Sequence, residues 1–238
     1  MSASRGRNLQ DAELRPQQTH QTESPGLTPP PMHIQPLFAV TAHPELHALI
    51  QAYPLATLIS AGGAGPEVNL LPLEFTPGGS HGRLRGHVSR NHPLATGTAP
   101  DTESTAIFRG PDAYISPRWY VSGQRSGRVA PSWNYVVVQA RGRIRFVDAA
   151  DWVATHLTAL TAQQEAGRDS PWSPAEAPAA YIDEAAAHLI GFEIELTDLV
   201  GKRFLSQQRT EADRHSLVAH LAREPSGAAR DLAALIRP

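Results

Sequence analysis

Leu55-Ala56-Thr57-Leu58-Ile59-Ser60, then Gly62-Gly63-Ala64-Gly65-Pro66, then Val68-Asn69-Leu70-Leu71-Pro72-Leu73-Glu74-Phe75 read as a β-hairpin. Both outer runs are rich in residues that suit a pleated, half-buried surface, and the glycines between them permit a reversal. Pro77-Gly78-Gly79 stops the second run. Further strands follow at Arg83–Val88 and Thr105–Arg109. Trp133–Val138 and Ile144–Val147 flank Arg141-Gly142-Arg143 as a bent or hairpinned pair. Strands this short, joined by Gly/Pro turns, predict a small antiparallel barrel rather than a parallel sheet.

Helical patterns surround these strands. A short helix is predicted over Pro44–Gln51, with proline in its first turn. Trp152, Val153, Leu157 and Leu160 form an apolar stripe on a helix over Ala150–Glu165, and a second helix is predicted over Ala179–Leu189. Phe192-Glu193-Ile194-Glu195-Leu196 alternates apolar with acidic, the pattern of a half-exposed strand returning to the barrel. Two helical stretches, 210–223 and 226–236, close the chain. The fold class is therefore α+β. Residues 1–31 hold too few large apolar side chains to offset the entropy of ordering and are expected to be a disordered tail, with one domain over 32–238.

Composition narrows the function classes. Apolar residues make up 41% and charged residues 18%, and no apolar run approaches the roughly 20 residues that span a bilayer. The start of the chain has no apolar signal region, and cysteine is absent, which fits a reducing cytoplasm and excludes thiolate chemistry. A formal charge of −2 gives no global attraction for nucleic acid. Lys202 is the only lysine beside 20 arginines.

Three segments can carry ligand chemistry. Five of the nine Trp and Tyr residues (Tyr114, Trp119, Tyr120, Trp133 and Tyr135) fall between positions 114 and 135, among prolines and polar residues. They make either flat walls for a planar ligand or a satellite core under a loop. In Gly86-His87-Val88-Ser89-Arg90-Asn91-His92-Pro93 a strand ends and a short helix begins. Free backbone N–H groups beside Ser89, Arg90 and Asn91 would suit a phosphate, and the alternative is an ordinary helix start capped by Ser89. Gly201-Lys202-Arg203-Phe204-Leu205-Ser206-Gln207-Gln208-Arg209 gathers three cations, a hydroxyl and two amides, as a ligand site or as a solvated surface stripe. His43 and His47 have chelate spacing but no identifiable third ligand, so no metal site is assigned.

Taken in order, Gly86–Pro93, Tyr114–Tyr120, Pro131–Tyr135 and Gly201–Arg209 resemble the motifs of the PaiB-like family of FMN-binding negative transcriptional regulators. The resemblance runs collinearly from about 32 to about 222. It implies the FMN-binding split barrel, similar to pyridoxamine-phosphate oxidases, as a homodimer with flavin in the interface. It further implies Arg90 and Lys202 as phosphate partners, with hydroxyls from Ser89 and Ser206. His87 and Asn134 would line the ring or ribityl chain, with Trp133 packing nearby, and Gln207 and Arg209 would reach the partner subunit's flavin. The chain departs from the family pattern at Val68-Asn69-Leu70, which lacks a histidine, and at Ser89, His92 and Ser132. Gln208 stands where the family has Asn, which moves an amide by about one bond length, 1.5 Å.

Three function classes follow: an FMN protein acting in redox chemistry or regulation, a DNA-binding regulator using Arg209, Arg214, Arg223 and Arg230, or a haem-binding barrel. No residue identifies a substrate acid or base, so any oxidoreductase activity would rest on the flavin itself.

Overall fold

A computed structural model describes residues 32–63 and 65–238. The tail expected over 1–31 lies outside the described residues, as does Ala64 in the first turn. In chain order the elements are β1 (Ala39–Val40), α1 (His43–Ala52), β2 (Leu55–Gly62), β3 (Gly65–Pro72), β4 (Glu74–Thr76), β5 (Arg83–Ser89), α2 (Pro93–Gly97) and β6 (Thr102–Ile115). They continue with α3 (Val121–Ser126), β7 (Ser132–Val147), α4 (Ala150–Glu165), α5 (Ala179–Ala187), β8 (Leu189–Phe204), α6 (Glu211–Leu221) and α7 (Gly227–Leu235).

The hairpin read from Leu55 onward is β2–β3, paired from Leu55↔Pro72 to Gly62↔Gly65. The second strand does not continue to Phe75 as expected. Pro72 has no N–H to donate, the N–H of Leu73 turns to the carbonyl of Pro54 instead, and Glu74–Thr76 leaves to pair with β5. The strand order is β3-β2-β6-β7-β8-β5-β4, all antiparallel, with β1 added on β8. The two ends of this order, β3 and β4, are separated in the chain by Leu73 alone. A sheet whose first and last strands are one residue apart must curl on itself, and the result is an antiparallel split barrel.

Two strands are longer than their sequence suggests. β6 runs on past Arg109 because the pairing register shifts between Arg109 and Asp112, around Gly110-Pro111, so the alternation resets rather than ends. β7 is one bent strand, not a hairpin. Its register against β8 shifts between Arg141 and Gly142, and a Cβ on Gly142 would lie 2.2 Å from the carbonyl oxygen of Glu195. On β8 the expected alternation holds: Phe192, Ile194 and Leu196 are buried while Glu195 is exposed.

The inner face carries Leu58, Leu84, Phe108, Ile115, Val136, Val138, Ile144, Phe192 and Ile194. The apolar face of α1 (Leu46, Leu49 and Ile50) and residues Leu217, Leu221 and Leu232 of α6 and α7 complete this core. Each such side chain, fully buried, contributes about 1.5–3 kcal/mol. Helix α4 lies across the outside of β5 and β8. Gly191 permits this, because a Cβ there would meet the Trp152 ring at 2.1 Å. The cap of α2 is His92, whose Nδ1 accepts from the Leu94 N–H, rather than Ser89.

Gly86 tests the packing. A Cβ on it would lie 2.3 Å from Phe192 and 2.8 Å from Leu73, both fully buried. Gly86→Ala is expected to cost about 1–3 kcal/mol through overpacking, whereas Gly97→Ala, with nothing within 4 Å of the new methyl group, should be near neutral. Urea unfolding midpoints for the two variants check this.

Candidate functional site

The motif residues fall at the two ends of the 16-residue β8. At its C-terminal end, Tyr114 of β6 and Trp133 of β7 are directly paired on the outer face of the sheet. Both remain about half exposed, at 47% and 55%, with ring centres 6.2 Å apart in an edge-to-face arrangement. Tyr114 lines a cleft of about 780 Å³ with Ser116, Arg118, Gln124 and Val129, while Trp133 faces a second, smaller hollow of about 330 Å³ with Ile107, Arg109 and Tyr135. Flat aromatic walls next to a hydroxyl, an amide and a guanidinium suit a planar, polar-edged ligand.

Asn134 points the other way, because successive strand residues alternate. It is fully buried, and its Nδ2 donates to Ser206 Oγ at 2.9 Å, while Ser206 Oγ lies 2.7 Å from the Tyr120 hydroxyl. This knot holds Ser206 at φ +63°, in the left-handed region that a serine seldom adopts. Arg209 lies over the Tyr120 ring at 4.6 Å. Lys202 lies on the outer face, its ammonium 5.4 Å from the Tyr135 ring centre and 3.5 Å from the His33 carbonyl. Gln207 is turned inward on its own loop: Oε1 accepts from the Leu205 N–H and Nε2 donates to the Arg203 carbonyl. Nearby, burial pushes the Asp213 carboxyl up, but hydrogen bonds from Ser122 and Thr210, with Arg209 close by, outweigh it and hold the group below its ordinary value.

The other end of β8 carries the second group. Here Ser89 pairs with Leu189 and His87 with Gly191. The backbone N–H expected to be free at Arg90 is not: it donates to the His188 carbonyl, and the His92 N–H donates to Ser89. The Arg90 guanidinium is exposed and donates through Nε to the Ala187 carbonyl and through Nη2 to Asp148, both at 2.7 Å. Asn91 is exposed at the turn that follows. Trp133, Asn134, Lys202, Ser206, Gln207 and Arg209 therefore gather at one end of β8, and His87, Ser89, Arg90 and Asn91 at the other.

His87 belongs to a chain of polar groups that the sequence did not announce. His156 of α4, fully buried, places Nδ1 2.8 Å from Glu74 Oε2 and Nε2 3.2 Å from His87 Nδ1. A carboxylate only accepts, so Nδ1 of His156 carries the proton and donates to Glu74. In that tautomer Nε2 of His156 accepts from Nδ1–H of His87, which leaves His87 Nε2 as a bare lone pair. That atom makes no hydrogen bond to the described residues. Trp152 stacks on His156 and donates to Glu193, and the Arg85 guanidinium lies 4.8 Å from the centre of its ring. The signal for His156 was present, since it falls on the Trp152–Leu160 stripe, one polar residue on a buried face. Glu74 carried none, because its strand was read as part of the preceding hairpin.

His81 lies beside the His43–His47 pair, with ring centres 5.4 Å from His43, yet among the described residues no three His, Asp or Glu side chains are placed to hold a metal ion. Arg214 donates to the main-chain carbonyls of Arg209 and Arg237, and Arg230 to those of Glu224 and Pro225. Two of the four arginines considered for nucleic acid are thus tied into the protein itself. Among the described residues, no helix is long and apolar enough to cross a membrane.

The chain matches a family profile described as "Putative FMN-binding domain" over residues 32–198. It is 27% identical over 205 residues to Protease synthase and sporulation protein PAI 2 of Bacillus subtilis (strain 168), an alignment covering 86% of this chain and 96% of that protein. Among solved structures, the FAD and heme binding protein from Mycobacterium smegmatis superposes with a TM-score of 0.55 at 18% identity, over 76% of this chain and 79% of that one. The flavocytochrome Anf3 from Azotobacter vinelandii gives 0.52 at 16% identity, over 77% and 78%. At these identities the two structures speak for the shared fold alone.

Burial, together with the neighbouring His156, lowers His87 from its ordinary 6.5 to about 4. His87 is thus neutral in the folded protein and protonates readily only when unfolded. Its contribution to stability is full above pH 6.5 and is lost as the pH falls from there through about 4. Nitrogen-15 NMR should find His87 protonated only at Nδ1 at neutral pH, and His156→Gln should raise its titration midpoint toward 6.5. A wild-type His87 that titrates near 6.5 would contradict the relay.

Proposed function

The chain belongs to the FMN-binding domain family, and we propose that it is a flavoprotein holding FMN between two copies of itself. The observation that carries this reading is the separation of its two polar motifs to opposite ends of β8. One flavin can meet both only if a two-fold axis sets the end bearing His87, Ser89, Arg90 and Asn91 against the partner's Lys202–Arg209 end. The outer face of the sheet suits such a contact. Ile59, Ile107 and Val137 lie there on a diagonal across β2, β6 and β7, and Val68 and Leu70 on the edge strand are 62% and 68% exposed. An apolar face of this extent on an isolated chain marks an interaction surface.

The side chains suit FMN. Tyr114 offers a flat wall to the larger cleft and Trp133 to the adjoining smaller one, and both volumes lie within the roughly 300–1,000 Å³ usual for ligand sites. Arg90 exchanges its exposed pairing with Asp148 for a phosphate, helped by the Ser89 hydroxyl. From the other copy, Lys202 adds a second cation already poised on the outer face, and Arg209 a third. The buried Asn134–Ser206–Tyr120 knot fixes the loop that carries Arg209, so the reach of that guanidinium is set before the ligand arrives. His87 offers an acceptor to a ligand N–H. FMN bound there supplies the redox chemistry, one or two electrons at the isoalloxazine ring. A regulatory role of the PaiB type would use the same site as a sensor, with ligand occupancy as the signal.

Titrating FMN into the purified protein, followed by flavin absorbance and by quenching of Trp133 fluorescence, tests the reading. Saturable binding is expected, with a dimer mass by light scattering. Arg90→Ala and Lys202→Ala should each weaken binding by about tenfold or more, equivalent to about 1.4 kcal/mol. A monomeric protein that ignores FMN would overturn the proposal.

A further inference from the structure

We propose that the mouth of the barrel under α6 and the C-terminal residues is a binding pocket for a small oxyanion, of the phosphate or carboxylate class, separate from the flavin site. The cavity there measures about 320 Å³ and is lined by Arg203, Leu205, Gln207, Arg214, Leu235 and Arg237. Three guanidinium groups line it and no acidic residue does.

Strand geometry sets the pocket apart from the outer face. Arg203 directly opposes Val136, a buried inward residue, so its side chain enters the inner side of the barrel mouth. Its neighbour Lys202 opposes Val137 and lies on the outer side. Arg203 pairs through Nη1 with Glu45 of α1, while its Nε is buried with no hydrogen-bond partner. A buried cationic N–H without an acceptor is unusual and points to a group it is meant to meet.

The other two arginines are prepared differently. Arg214 is pinned by main-chain carbonyls, its Nε donating to Arg237 and its Nη1 to Arg209, so its guanidinium plane is fixed before any ligand binds. The side chain of Arg237 makes no hydrogen bond or ion pair with the described residues and is exposed at the rim, able to close over a ligand. Both polar atoms of the Gln207 amide are engaged by Leu205 and Arg203, which makes this residue a wall rather than a contact. Among the described residues, the one acidic side chain paired with any of these three arginines is Glu45, on Arg203. Planar guanidinium forks match the paired oxygens of a phosphate or carboxylate, and Leu205 and Leu235 leave an apolar surface for a short organic body.

The test is calorimetric titration of the full chain with inorganic phosphate against chloride at matched ionic strength, for wild type and Arg237→Ala. Saturable phosphate binding is expected in wild type, with at least a tenfold weaker affinity in Arg237→Ala and an unchanged unfolding midpoint without phosphate. Arg203→Lys, which keeps the charge and loses the fork, should weaken phosphate binding as well. Equal responses in wild type and Arg237→Ala, or no response beyond chloride, would overturn the proposal. FMN affinity is measured alongside and should be unchanged in Arg237→Ala. If FMN and phosphate binding fall together, the pocket is part of the flavin site and the claim of a separate site fails.

Discussion

The fold depends on a single tight constraint: Leu73 alone joins the two edge strands of the sheet, β3 and β4. With one residue between them, the first and last strands of an eight-stranded antiparallel sheet cannot lie apart. The sheet must curl, and curling gives it an inside and an outside. The inside takes the alternating apolar residues of β2, β5, β6, β7 and β8, plugged by α1, α6 and α7. On the outside, α4 covers β5 and β8, while Ile107 and Val137 on the same outer face of the sheet stay partly exposed. Pro72 enforces the constraint chemically, since the strand cannot pass through it and keep its hydrogen bonds.

Within that frame β8 organises the chemistry. It is hydrogen-bonded along β7 on one side and along β5 and β1 on the other, so groups from distant parts of the chain are held against one rigid strand. The absence of a side chain at Gly191 decides how α4 lies, because the space is taken by Trp152. That seat in turn brings His156 between Glu74 and His87. A glycine on a central strand thus fixes the tautomer of a histidine on its neighbour, through a helix that approaches from outside.

Much of the architecture was legible in the residues. The hairpin turn, the alternation in Phe192–Leu196 and the stripe on Ala150–Glu165 each reported local structure, and each survives in the fold. The failures have physical causes. Gly110-Pro111 broke the alternation of β6 without ending the strand, and Arg141-Gly142 bent β7 without reversing it. For the site, the aromatic cluster at 114–135 was visible because aromatic residues bunch there against composition. The relay from Glu74 was not, because it joins β4, β5 and α4, and nothing short of the barrel's closure brings these together. The same holds for the division of the motif residues between two ends of β8, which depends on pairing register and not on spacing along the chain.

The late position of β8 also governs how the chain comes into being. In space it lies between β7 and β5, yet it is made after both: β5 ends at Ser89 and β7 at Val147, while β8 begins only at Leu189. At about 5–20 residues per second, β5 and β7 wait seconds with unpaired backbone edges before their partner emerges. Until then the nascent barrel is an open sheet with both faces wet, exposed to mispairing with other chains. Pairing with β8 is what covers those two edges, so the barrel closes only once that strand has emerged.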